Sequence, residues 1–154
     1  MAKSNAHRWG QIIGDVFEAA TLEILQSVAE EHRLFLDSKG IRKARRGKLV
    51  QWQDVFGNFH DLDYVLERGG TEESIGIPVA FVETAWRKYT KHSKAKAQEI
   101  EAALSPLGVT YQDVQPFLGC VLSGEFTQPS LAQLRSKGIR VIHWDSDDVF
   151  AAFS

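Results

Sequence analysis

Apolar residues recur at helical spacing over residues 9–31, at Trp9, Ile12, Ile13, Val16, Phe17, Ala20, Ile24, Leu25 and Val28, and predict a long amphipathic helix with one buried face. The period then shortens. Residues 49–56, LVQWQDVF, alternate as a strand does, and Gly57-Asn58 supplies a hairpin turn into a second strand over residues 59–67. A glycine-rich turn over residues 68–76 leads to a third strand over 77–86. Its alternation sets Val79, Phe81, Glu83, Ala85 and Arg87 on one face and Ala80, Val82, Thr84 and Trp86 on the other. The three strands are expected to form an antiparallel meander.

Beyond Tyr89 helical spacing returns. Thr90 or Ser93 caps a helix that turns Ala97, Ile100 and Leu104 inward, and Ser105-Pro106 is expected to stop it. The apolar run over residues 117–122 reads as a central strand. Residues 128–137 read as a helix with Pro129 in its first turn and Gly138 just past its end, and residues 139–144 as a further strand. A strand, a helix and a strand in that order make a βαβ unit with parallel strands, and a short helix is expected from Ser146. The order predicts an α/β fold, a mixed β-sheet flanked by helices, in one domain over residues 1–154.

At 44% hydrophobic and 25% charged residues the chain has the make-up of an ordinary globular protein with one sizeable core. The polar N-terminus carries no apolar run long enough for a signal peptide or a membrane span, so a cytoplasmic protein with no membrane partner is expected. The lone Cys120 cannot form an internal disulfide and, within an apolar run, reads as a buried thiol.

Charge changes the picture more. The net charge is only -2, yet residues 39–48 (KGIRKARRGK) hold six bases in ten positions and residues 87–96 (RKYTKHSKAK) five, with no acid in either. These windows take eleven of the eighteen Lys and Arg and leave seven to face all twenty acids elsewhere. Basic charge gathered on one side is the footprint of a phosphate backbone, which makes Arg42, Lys43, Arg45, Arg46, Arg87, Lys88 and Lys91 candidate nucleic-acid contacts.

The candidate chemistry lies in two acids set inside apolar strands, Asp63 between Leu62 and Tyr64, and Glu83 after Val79, Ala80, Phe81 and Val82. Burying an unpaired carboxylate consumes a large part of a domain's stability margin, so such groups are normally paired or bound to metal. Two carboxylates one strand apart offer hard oxygen donors to Mg²⁺, which takes one or two carboxylates together with waters and phosphate oxygens. With a lysine nearby to orient the water or stabilise the transition state, that is a minimal kit for phosphodiester hydrolysis. Asp61 reads as a solvated strand-end acid, His60, His92 and His143 share no metal-ligand spacing, and Trp52, Trp86 and Trp144 read as packing residues.

In element order and in the placement of Asp63 within LDYVL and Glu83 within VAFVETA, twenty positions apart, the chain resembles the PD-(D/E)XK nuclease superfamily. The resemblance implies a restriction-endonuclease-like core (α-β-β-β-α-β-α-β) and a Mg²⁺-dependent hydrolase cutting DNA, with Mn²⁺ an expected substitute. It implies Asp63 and Glu83 as catalytic metal ligands, and Glu18 on the first helix as an additional one. Two positions depart from the family pattern: Leu62 stands where proline precedes the first acid, and Ala85 stands where the motif lysine follows the second. The following helix offers Lys91, Lys94 and Lys96 in its place, and Lys94 is the expected catalytic lysine. A chain of this size leaves little room for a separate specificity domain, so a homodimer or a specificity subunit is expected for duplex cutting. The loss at Ala85 leaves open a catalytically silent nucleic-acid-binding module of the same fold. A scaffold subunit docking an acidic protein is the reading from a different class.

Overall fold

The computed structural model describes residues 4–152. The helix predicted first is α1 (Asn5–His32), which Ser4 caps by accepting the His7 N–H and which Arg33 closes in the left-handed conformation. Its apolar positions do not form one buried face. Ile13 and Ala29 are buried, whereas Trp9, Ile12, Val16 and Ile24 are exposed.

Five strands form the main sheet. In the order β1 (Phe35–Ser38), β4 (Tyr64–Arg68), β5 (Ile77–Arg87), β6 (Phe117–Gly124) and β7 (Arg140–Trp144), the first three are antiparallel and the last three parallel. Helix α1 lies on one face, where Leu25, Val28 and Ala29 meet Leu66 and Ala80. Helices α2 (Thr90–Thr110) and α3 (Gln128–Ser136) supply Ala97, Ile100, Leu104, Leu107, Leu131 and Leu134 to the core against Val65, Phe81, Ala85 and Leu122. Helix α4 (Ser146–Ala152) closes the described chain. An α/β fold with a mixed sheet flanked by helices is therefore as the periodicity predicts.

The meander is not. Strands β2 (Val50–Gln53) and β3 (Phe59–Leu62) pair only with each other, as a separate hairpin. The strand expected over residues 59–67 breaks at Asp63, and its second half joins the main sheet between β5 and β1. Strand β1 has no alternating apolar pattern to announce it, because its third residue, Asp37, is an acid that is buried only once Arg42 and Arg45 of the following segment fold back onto it.

The hairpin turn is held by Asp54, which accepts the N–H groups of Phe56 and Asn58 and meets His60 Nε2 at 2.6 Å. Helix α2 also runs on through Pro106 to Thr110. An interior proline costs a helix about 3 kcal/mol, and full burial of one leucine returns about 1.5–3 kcal/mol. Leu104 and Leu107, both fully buried around the proline, therefore outweigh it, and Thr110 Oγ1 donates to the Pro106 carbonyl at 2.8 Å.

Candidate active site

Asp63 occupies the bend between β3 and β4, where the chain leaves the hairpin for the main sheet. The β4–β5 register pairs Tyr64 with Val82, so one residue further on Asp63 stands opposite Glu83. Side chain and backbone cross over there. The Asp63 N–H donates to Glu83 Oε1 at 3.4 Å, and Asp63 Oδ2 accepts the Thr84 N–H at 2.8 Å and lies 3.4 Å from Thr84 Oγ1. The two acids singled out in the sequence are thus brought together, with Asp63 half-buried and Glu83 only 5% exposed.

Burial pushes the Glu83 carboxyl up to about 9, and the charge of Asp63 and a side-chain hydrogen bond to Asp63 push the same way. Lys96 and the Asp63 N–H oppose them. At neutral pH the pair consequently holds a proton between its carboxyls, as two acids do when no cation separates them. Replacing that proton by a divalent cation is chemistry for which two adjacent carboxylates are suited. Cys120 pairs with Glu83 across the β5–β6 ladder, and burial, then Glu83, push its thiol up to about 12. It is a buried free cysteine, as expected.

Lys94, the lysine expected beside the pair, lies away from it. Lys94 is exposed and lines a shallow cleft between α2 and α3 with Gln98, Glu101 and Gln133. Lys96 is the α2 lysine whose charge reaches Glu83; its side chain is 22% exposed and also meets Glu99 Oε2 at 3.5 Å. Two positions along a helix rotate a side chain by about 200°, which turns Lys94 toward α3. Ala85, at the place of the motif lysine, is packed into the core.

Glu18 does not join the pair as a third ligand. It borders, with Asp15, Lys39, Asp61 and Asp63, a cleft of about 470 Å³ between α1 and the start of the hairpin, and Glu83 is not on its wall. Among the described residues no three carboxylate, imidazole or thiol groups gather as a metal cage. The reason is topological: α1 approaches Asp63 from the cleft side, while Glu83 projects among the residues that face α2.

The first basic segment divides into two populations. Arg42 is 3% exposed, donates to both Glu67 oxygens at 2.6 and 3.0 Å and to the Thr71 and Ser74 carbonyls, and lies 3.1 Å from Asp37. Arg45 donates to both Asp37 oxygens and to the carbonyls of Gly47 and Ser38. These two are internal counter-ions rather than nucleic-acid contacts, because the desolvated carboxylates of Asp37 and Glu67 require them. Lys39, Lys43, Arg46 and Lys48 remain exposed. In the second segment Lys88 and Lys91 are exposed, Lys88 lies 5.5 Å from the Tyr89 ring, and the half-buried Arg87 donates to the Trp86 carbonyl. Through Arg42 and Arg45 the first basic segment is clamped onto β1 and β4.

Two features escaped the sequence. Glu67, fully buried on β4, is an acid inside a strand just as Glu83 is, yet it serves Arg42. Lys39 is brought beside Asp63 by the Ser38–Tyr64 register of β1 with β4. No local signal marks either, since both depend on β1.

No family model matches the chain, and no curated protein matches it. Among solved structures it is similar to a protein of unknown function, AF1548, with a TM-score of 0.45 at 12% identity over 84% of this chain and 63% of that one. The chain therefore spans less than two thirds of that protein's length, and the likeness carries no argument about function.

Proposed function

We propose that this chain is a metal-dependent endonuclease that hydrolyses phosphodiester bonds of DNA, of the PD-(D/E)XK, restriction-endonuclease-like kind. The observation that carries the reading is the crossed contact of Asp63 and Glu83 beside an open cleft, within the electrostatic reach of Lys96. The donor set fits Mg²⁺, or Mn²⁺ in its place: two adjacent carboxylates, Asp63 and Glu83, would hold the ion, and waters and phosphate oxygens would complete its shell. When bound, the ion neutralises phosphate charge and lowers the pKa of a water.

The chain's own groups do the rest. Asp63, fixed by the Thr84 N–H, keeps one oxygen anchored so that the carboxylate cannot rotate away from the cleft. Glu83, its carboxyl raised to about 9 by burial, holds a proton at neutral pH, which a divalent ion bound to the pair would displace. Lys96, on the helix face that reaches Glu83, supplies positive charge beside the reacting phosphate in the role that Ala85 cannot fill. The exposed Lys43, Arg46, Lys88 and Lys91 hold flanking backbone by charge.

The test is cleavage of supercoiled, linear, branched and single-stranded DNA with Mg²⁺ or Mn²⁺ by the wild-type protein, Asp63→Ala and Glu83→Ala. Metal-dependent cleavage lost in both variants is the expected result. Cleavage that persists in both removes the reading, and salt-sensitive binding without cleavage under any divalent metal favours the silent binding module.

A further inference from the structure

The cleft beside Asp63 presents an electrostatic problem. Four carboxylates line it, those of Asp15, Glu18, Asp61 and Asp63, and such a wall repels a phosphodiester. One cationic side chain, Lys39, lines it with them. Among the described residues Lys39 forms no ion pair, so its charge is not spent on a neighbour.

The backbone on each side of Lys39 is fixed. The Ser38 carbonyl accepts Arg45 Nη2 at 3.0 Å, and the Gly40 N–H donates to the Lys48 carbonyl at 2.8 Å. Arg45 is itself held by Asp37, and Asp37 by Arg42, whose guanidinium is forked onto Glu67. This buried network of two acids and two arginines has no part in the chemistry proposed above. Its effect is to stop the edge of the sheet from fraying where β1 passes Asp63, and to hold the root of Lys39 across the ladder from that acid. A charge held at its root loses less freedom on binding than one on a mobile loop.

We infer that Lys39 is the phosphate ligand of the cleft, binding the phosphodiester next to the one cut, with the Asp37–Arg42–Arg45–Glu67 network as the clamp that positions it. The inference rests on the nuclease reading and adds to it the side of Asp63 along which the strand runs, toward β1. It also makes Lys39 a competitor of the divalent ion, because both respond to the field of Asp63.

Lys39→Ala is therefore expected to have two opposite effects in one protein. KM for DNA rises about tenfold, the loss of one charge-assisted hydrogen bond, while kcat stays within about threefold. Mn²⁺ binding to the DNA-free protein, measured by titration calorimetry, tightens by several-fold. Lys39→Arg restores KM. Because Lys39 is exposed, the variant folds, as circular dichroism will show. Cleavage with KM unmoved by Lys39→Ala, or KM raised with Mn²⁺ affinity unchanged or weakened, overturns the inference and leaves the nuclease reading standing. Absence of any cleavage by the wild-type protein overturns both.

Discussion

Asp63 and Glu83 are tied by reciprocal contacts: the backbone N–H of Asp63 points to Glu83 Oε1 at 3.4 Å, and the N–H following Glu83, that of Thr84, points to Asp63 Oδ2 at 2.8 Å. Each acid is thereby fixed by the other's strand. A carboxylate pair held this way has little freedom to relieve its repulsion by swinging apart, and in the metal-free fold a proton on Glu83 relieves it.

The first consequence concerns stability and pH. The Glu83 carboxyl, raised to about 9 from an ordinary 4.5, is protonated in the fold and ionised in the unfolded chain between those values. Unfolding then releases a proton, so in the metal-free protein the stability present below 4.5 is progressively lost as pH rises toward 9. Glu83→Gln removes that dependence. Its melting temperature in the presence of a chelator is expected to exceed the wild type's by several degrees at pH 8 and to match it near pH 4. A difference of the same size at both pH values would show that Glu83 does not titrate this way.

On the nuclease reading, metal uptake would expel the proton that the raised Glu83 carboxyl holds. Mn²⁺ affinity is expected to rise by nearly tenfold per pH unit between about pH 6 and 8. Calorimetry in buffers of different ionisation enthalpy should detect about one proton released per ion bound. Asp63→Asn should abolish tight binding. A pH-independent affinity would place the ion elsewhere.

The two lysines of α2 separate cleanly. On the nuclease reading, Lys96→Ala is expected to lower kcat about a hundredfold, with partial recovery in Lys96→Arg, since it removes the positive charge nearest the acid pair on α2. Lys94→Ala, on the side of the helix facing α3, should change kcat by less than about threefold. Single-turnover cleavage rates decide between them, and the reverse order would return the role to Lys94.

Arginines in one short segment should fail differently from their neighbours. Arg42→Met strands Glu67 and part of Asp37 in the interior and should destabilise the protein by about 3–5 kcal/mol in urea unfolding. Lys43→Ala and Arg46→Ala should leave stability within about 0.5 kcal/mol. Each should also flatten the salt dependence of DNA binding by about one unit of slope. An Arg42 variant of normal stability would mean that the buried cluster is not formed.

Period and composition along the chain carried the helices, most of the strands and the mixed sheet, because these follow from which side chains must leave water within a few neighbouring residues; Asp63 and Glu83 stood out as acids inside apolar runs, and the β4–β5 register brought them together. The position of Pro106 and the burial of Leu104 and Leu107 show the limit even there, since the proline's penalty is local and the burial that offsets it is not. Tertiary structure alone decided the partners of the buried charges. Nothing near Arg42 in the chain reveals that Glu67 lies 2.6 Å away, nor does the run of lysines from Lys91 to Lys96 say which of them turns toward Glu83. The breaking of a nine-residue strand at Asp63, and the pairing of Phe35–Ser38 beside it, likewise depended on neighbours supplied by other parts of the chain. Hydrophobic pattern is a property of adjacent residues; an electrostatic site is a set of distances between residues that only the folded sheet brings together.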